Sequence, residues 1–220
     1  MSYIRENLDE IRGNLKEDVL LVAVTKTHTA MEINEAIDAG VTDIGENKVQ
    51  EILDKYEKVK PVRWHMIGHL QTNKVKYIID KVDLIHSVDS IKLAKEIDKR
   101  AGQHEKTMDI LIQVNSANEE SKFGISTDET KALILEILET CPNINIKGLM
   151  CIAPFEEDPQ EVRGYFAEVK EQFDEYGKIE HERLDFKYLS MGMSHDYIVA
   201  MEEGSNLVRV GSAIFGRRTY

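Results

Sequence analysis

Proline is scarce in this chain, four residues in 220, and no Pro- or Gly-rich linker or low-complexity stretch interrupts it. No hinge between lobes is marked, so residues 1–220 read as one domain. Cysteine is scarcer still. Cys141 and Cys151 show no CxxC spacing and no accompanying His pattern, which reads as free thiols in a reducing cytoplasm, not a disulfide or a zinc site. Positive charge is in deficit: 28 Lys and Arg stand against 40 Asp and Glu, for a net charge of −12. That balance argues against nonspecific binding to nucleic acid or an anionic membrane, while a local basic pocket for a small anion stays allowed. No apolar run approaches the roughly 18 residues of a membrane span. The start, Met-Ser-Tyr-Ile-Arg-Glu-Asn, lacks the apolar stretch of a signal peptide. His65 and His69 flank Gly68 at an apparent strand end, which is the wrong setting for a helical metal pair, and no metal site is expected.

What is present is a hydrophobic share of 42%, enough for a real core. Short β-like runs alternate with amphipathic or charged ones. They cover 19–24, 42–45, 62–67, 82–87, 108–115, 145–151, 186–190 and 207–211, and the second is the weakest. Between them, Val162, Tyr165, Phe166, Val169, Phe173 and Tyr176 recur on one helical face. Asp158 is placed as its N-cap, Pro159 as its first residue and Glu161 to close a capping box. Ser126 and Glu129 form a second box ahead of 131–140, and Ile91, Ala94, Ile97 and Ala101 a third stripe. Eight such alternations predict an α/β fold, a (β/α)8 TIM-type barrel, with an open doubly wound sheet as the alternative. So little chain follows the eighth run that the last helix must be very short. Residues 2–15 are expected to add a helix that covers part of the barrel.

In such a barrel the site lies where strands end and βα loops begin. Those positions hold Thr25-Lys26, Glu46-Asn47, Gly68-His69, Ser87, Asn115, Ser190-Met191-Gly192 and Arg209-Val210-Gly211-Ser212. Alternation places Leu20, Val22, Val24 and Lys26 on the side that carries the apolar filling. A strand-end lysine is ordinary by itself. Beside a phosphate cradle, a lysine amine partly withdrawn from water becomes a candidate Schiff-base nucleophile. The seventh and eighth loops are the usual phosphate corner of this fold. Here Ser190-Met-Gly-Met-Ser194 and Val210-Gly-Ser-Ala213 each precede a short expected helix, around 195–202 and 214–216, with glycines for close approach and amides and hydroxyls to donate. Arg209 interrupts an apolar strand and is either an outward residue paired with a helix carboxylate or a fixed cation at a cofactor. Facing a pyridine nitrogen, it would hold that nitrogen unprotonated, because guanidinium keeps its protons, and transaminase-like chemistry would be disfavoured.

Ordered motifs along nearly the whole chain carry a resemblance. They are Ala23-Val-Thr-Lys-Thr27, Ile44-Gly-Glu-Asn-Lys-Val-Gln-Glu51, Trp64-His-Met-Ile-Gly-His-Leu-Gln-Thr-Asn-Lys74, Ser87-Val-Asp89, Val114-Asn115, Glu120-Ser-Lys-Phe-Gly124, Gly148-Leu-Met-Cys-Ile-Ala-Pro154, Ser190-Met-Gly-Met-Ser194 and Val208-Arg-Val-Gly-Ser-Ala-Ile-Phe-Gly216. The chain resembles the pyridoxal-phosphate homeostasis protein family, small proteins that bind pyridoxal 5′-phosphate (PLP). The resemblance implies a barrel like the N-terminal domain of alanine racemase (PLP fold type III), with PLP joined to Lys26 as an aldimine. It maps phosphate recognition to Ser190, the amides near Met191-Gly192, and Gly211-Ser212, and the pyridine-nitrogen partner to Arg209. Asn47 and His69 are implied to line the same mouth. Two departures are mild: Ser212 stands where threonine is more usual and keeps a hydroxyl, and Lys48 stands where an aromatic residue is common. Lys74 and Lys122 read as solvated rim cations.

Three functions compete. A non-catalytic PLP carrier for intracellular homeostasis is favoured, because racemases of this fold add a second domain whose base works on the other face of the ring, and this sequence ends at Tyr220. The alternative is an enzyme, either a minimal PLP-dependent amino-acid racemase or another Schiff-base enzyme. A regulatory protein that senses PLP would use the same pocket as the carrier. Expected partners are PLP and PLP-accepting apo-enzymes, without nucleic acid or membrane, the chain being a monomer by default and a weak dimer as the alternative.

Overall fold

The computed structural model describes residues 2–117 and 123–216. Strands β1 (Leu20–Val24), β2 (Asp43–Glu46), β3 (Arg63–Met66), β4 (Leu84–Val88), β5 (Met108–Val114), β6 (Ile144–Cys151), β7 (Leu184–Ser190) and β8 (Leu207–Val210) pair in parallel in chain order and close into a barrel. Closure is made where Leu20 to Ala23 lie opposite Leu207 to Val210. The open-sheet alternative is thereby excluded, and all eight expected strands are present with ends shifted by a residue or two.

Helices α1 (Tyr3–Asn14), α2 (Ala30–Asp38), α3 (Val49–Lys55), α4 (Ile91–Gln103), α5 (Thr127–Thr140), α6 (Arg163–Tyr176), α7 (Tyr197–Glu202) and α8 (Ser212–Phe215) surround it. The third crossover is a 3-10 turn, Thr72–Tyr77. Helix α6 begins later than its sequence signals suggest. Asp158 accepts from the Gln160 amide and Pro159 takes the first position, but they open a 3-10 turn, Pro159–Val162, and the α-helix starts only at Arg163. Ser126 heads α5 without capping a backbone amide; its hydroxyl instead donates to the Glu129 carboxylate, 2.6 Å away. The expected extra helix is α1, which buries Ile4, Leu8 and Ile11 and reaches the four-residue α8 through the Asn7 side chain, 2.9 Å from the Ile214 carbonyl oxygen.

Strand alternation splits the core in two. Outward-facing side chains such as Ala23, Ile44, Trp64 and Ile85 pack under the helices. Inward-facing Val22, Leu84, Leu111, Met150 and Leu207 fill the barrel as a separate apolar cluster. Both cysteines are buried free thiols. No helix of the described residues is long and apolar enough to cross a membrane.

Candidate functional site

Beyond Val24 the chain continues through Thr25 and the half-buried Lys26 into the first βα loop. Lys26 lines a cleft of about 240 Å³ together with His28, Met193, Ser194, His195, Arg209, Gly211 and Ser212. A buried cluster holds the lysine from behind. Lys55 on α3 spends its three protons on the Thr25 carbonyl at 2.9 Å, on Glu46 at 2.7 Å and on Glu51 at 2.8 Å. Glu46 also accepts from the Thr25 hydroxyl at 2.7 Å, and Glu51 from the Thr27 amide at 2.6 Å. The residues on either side of Lys26 are thus tied to the same ammonium group. Thr27 is bent into the left-handed region, φ 69°, which a β-branched residue adopts only when its surroundings enforce it. Burial raises the Glu46 carboxyl above its ordinary value, although Lys55 and Thr25 pull it down.

On the adjoining strand β8, Arg209 is 3% exposed. It donates to the Ser190 carbonyl and the Cys151 carbonyl, each at 2.8 Å, and to the Ser190 hydroxyl at 2.5 Å. None of these acceptors is a carboxylate. Burial lowers its pKa, yet guanidinium remains protonated at neutral pH, so a buried cation faces the cleft. Beside it the hydroxyl of Ser194 accepts from the amides of Gly211 at 3.1 Å and Ala213 at 3.3 Å, gathering hydroxyl and amide donors at one corner. His28 stacks on Phe215 with ring centroids 4.5 Å apart and lies 3.3 Å from Glu32.

Of the nine residues expected from sequence, Lys26, Arg209, Gly211 and Ser212 line this cleft. Ser190 and Met191 are fully buried behind it, and Gly192 serves the turn. At Gly192, φ is 89° and an added Cβ would come within 2.7 Å of Ala200, so only glycine fits. The loop residues that reach the cleft are Met193, Ser194 and His195, because Ser190 still belongs to β7 and turns inward with it. Asn47 and His69 line a neighbouring cavity of about 440 Å³ with Lys48, Gln71 and Lys74. Gly68 lets the ends of β2 and β3 touch there, since a Cβ would sit 2.3 Å from the Asn47 carbonyl oxygen. Among the described residues the Asn47 side-chain oxygen has no hydrogen-bond partner, and His69 stacks on Phe123 with ring centroids 3.8 Å apart. Lys122 lies outside the described residues. Sequence reasoning left His28, Met193 and His195 out of the site; position alone, two residues after the strand-end lysine and just past the seventh-loop glycine, could have brought them in. Among the described residues, no group of three or more His, Cys, Asp or Glu side chains could hold a metal ion.

A family model described as "Alanine racemase, N-terminal domain" matches residues 1–219. The chain is 46% identical over 202 residues to a pyridoxal phosphate homeostasis protein of Aquifex aeolicus, covering 91% of this chain and 87% of the relative. Among solved structures, PipY of Synechococcus elongatus PCC7942 with PLP bound superposes with a TM-score of 0.87 at 34% identity, over 97% of this chain and all of PipY. Alanine racemase of Clostridium difficile 630 shares the fold at 18% identity, with a TM-score of 0.76, over 99% of this chain and 60% of the racemase.

Proposed function

The chain belongs to the alanine racemase N-terminal domain family and, within it, to the pyridoxal phosphate homeostasis proteins, and on that premise we propose that it holds PLP on Lys26 and keeps it available to other proteins. One observation carries this reading: a buried guanidinium whose hydrogen bonds, among the described residues, go to carbonyl and hydroxyl oxygens faces the same cleft as a lysine amine and a corner of hydroxyl and amide groups. Those three features answer the aldehyde, the phosphate and the ring nitrogen of PLP. Lys26 would supply the amine that holds PLP through its aldehyde carbon, with water as the leaving group. Ser194, Ser212 and the Gly211 and Ala213 amides, which the Ser194 hydroxyl engages in the structure, would hold the phosphate, offsetting its charge within an acidic protein. Arg209 would meet the pyridine nitrogen and, keeping its own protons, would leave that nitrogen unprotonated. PLP itself supplies the electrophilic aldehyde and a conjugated ring. Ser190 and Gly192 act behind this surface by placing Arg209 and the seventh loop.

No turnover is proposed. Inverting a stereocentre requires proton access from both faces of the ring, and among the described residues the cleft is lined by no second lysine and no tyrosine, its other titratable groups besides Arg209 being His28 and His195. The single domain spans residues 1–220, acts in the cytoplasm as a monomer, and delivers PLP to apo-enzymes. Titrating the protein with PLP while recording visible absorbance tests the binding reading. An imine band should grow to one equivalent and be absent in Lys26→Ala; a band that survives in the variant rejects Lys26. Incubation with amino acids in heavy water tests the rest, and α-proton exchange would favour the racemase alternative.

A further inference from the structure

Three polar side chains inside the barrel take no part in the cleft, and they are arranged in a line. Asp43, the first residue of β2, accepts from His65 Nε2 at 2.8 Å. His65 Nδ1 lies 2.9 Å from His86 Nε2, and His86 Nδ1 lies 3.1 Å from the Ser190 hydroxyl, which Arg209 meets from the other side. Each of these five residues is at most 3% exposed. Asp43 opens its strand and Ser190 closes β7, so the line climbs from the N-terminal end of the barrel to its C-terminal mouth. It passes from β2 to β3 to β4, then crosses the interior to β7 and β8. A continuous polar line through an apolar interior is costly unless every member is satisfied.

The donors can run in only one direction when both rings are neutral. Asp43 is held below its ordinary carboxylate value: burial pushes it up, but hydrogen bonds from His65 and Thr42, with the Arg63 cation nearby, outweigh that. As an ionised acceptor it requires the proton of His65 on Nε2, which leaves Nδ1 to accept. His86 must then carry its proton on Nε2 and accept on Nδ1 from the Ser190 hydroxyl. Arg209, which can only donate, fills the remaining position on that hydroxyl. Burial first, then the nearby Arg209 cation, keeps His86 neutral. Arg63, half-exposed and 3.3 Å from Asp43, is the charged group packed against the outer end.

We propose that Asp43, His65 and His86 are positioning residues for Arg209, forming a one-way hydrogen-bond relay that fixes the guanidinium in the cleft from the opposite end of the barrel. Its value to the site rests on the reading of Arg209 as the partner of the PLP ring, but the relay itself exists without ligand. Ser190 follows as a linker whose proton is committed to His86 and is unavailable to phosphate.

Long-range ¹⁵N–¹H spectra of the imidazoles in the PLP-free protein at pH 8 should show His65 and His86 as neutral Nε2–H tautomers. His86→Phe should remove the restraint on Arg209 and sharpen its guanidinium exchange with water. Ser190→Ala, which keeps both rings, should free Arg209 equally while leaving the His65 tautomer in place. In the PLP-loaded protein both variants should release the cofactor about tenfold faster, as loss of one hydrogen bond to a charged group implies. An Nδ1–H tautomer at His86, or an Arg209 signal unchanged in both variants, would overturn the relay. Wild-type protein that shows the tautomers yet takes up no PLP would instead sink the binding reading and leave the relay standing.

Discussion

Thr27 shows how a single residue can be strained for the sake of its neighbour. Its amide is drawn to Glu51 and its φ of 69° is one that glycine adopts freely. Thr27→Gly is therefore expected to stabilise the fold by about 0.5–1 kcal/mol, read as a raised urea midpoint at unchanged slope. A lowered midpoint would mean that the threonine side chain contributes more than its backbone costs. Cys151 offers a second check at this scale. Burial pushes its thiol up to about 12, so almost no thiolate exists at pH 8. Native protein should leave it unmodified by an aromatic disulfide reagent that labels it on unfolding; rapid native labelling would contradict the buried placement. Lys26 was legible in sequence because it ended a clear apolar strand with the right parity. His65 and His86 were harder to read, since each stands alone in a strand and local sequence does not say which side chains meet across a barrel. Their signal was parity: each sits at an inward position among apolar neighbours.

At the scale of elements, β2 was the weakest expected strand, and the structure explains why. Asp43-Ile-Gly-Glu46 is buried along its whole length. Asp43 starts the relay and Glu46 takes the Lys55 ammonium, while Gly45 leaves room for Ile67 and Val22, which a Cβ would approach to 2.9 and 3.0 Å. The strand departs from β-propensity because its side chains carry other duties. The short start of α6 was not legible for a different reason: cap signals name a helix start but do not distinguish a first 3-10 turn from an α turn. Helix α1 is held mainly by packing, and Leu8 is fully buried. Leu8→Ala should lower unfolding free energy by about 2–5 kcal/mol. Helix α2 carries a complete capping box between Thr29 and Glu32, so Thr29→Ala should cost about 1 kcal/mol. Equal losses at both positions would mean that α1 adds little beyond a surface helix.

For the whole molecule, acid should be the destabilising direction below pH 4. The folded pKa of Asp43 is lowered, so its stabilising contribution is complete above the unfolded value of 3.8 and is lost as pH falls through the lower folded value. Glu46 runs the other way. Its folded pKa is raised, so its contribution is complete below 4.5 and is lost as pH rises through the folded value. Urea midpoints measured from pH 3 to 6 in Asp43→Asn should accordingly fall less steeply on the acid side than in wild type; parallel curves would contradict this assignment. The barrel as a whole was readable from eight alternations, but its closure became evident only with β1 paired to β8. The same closure brings Lys26 and Arg209, which lie near opposite ends of the sequence, into one cleft. The central claim is that this meeting makes a PLP site anchored on Lys26, and one measurement addresses it directly. Protein loaded with PLP should be reduced with borohydride, digested, and mapped by mass spectrometry. A single pyridoxyl adduct on Lys26 is expected, whereas an adduct on another lysine, or none at one equivalent of PLP, would rule out Lys26 as the anchor.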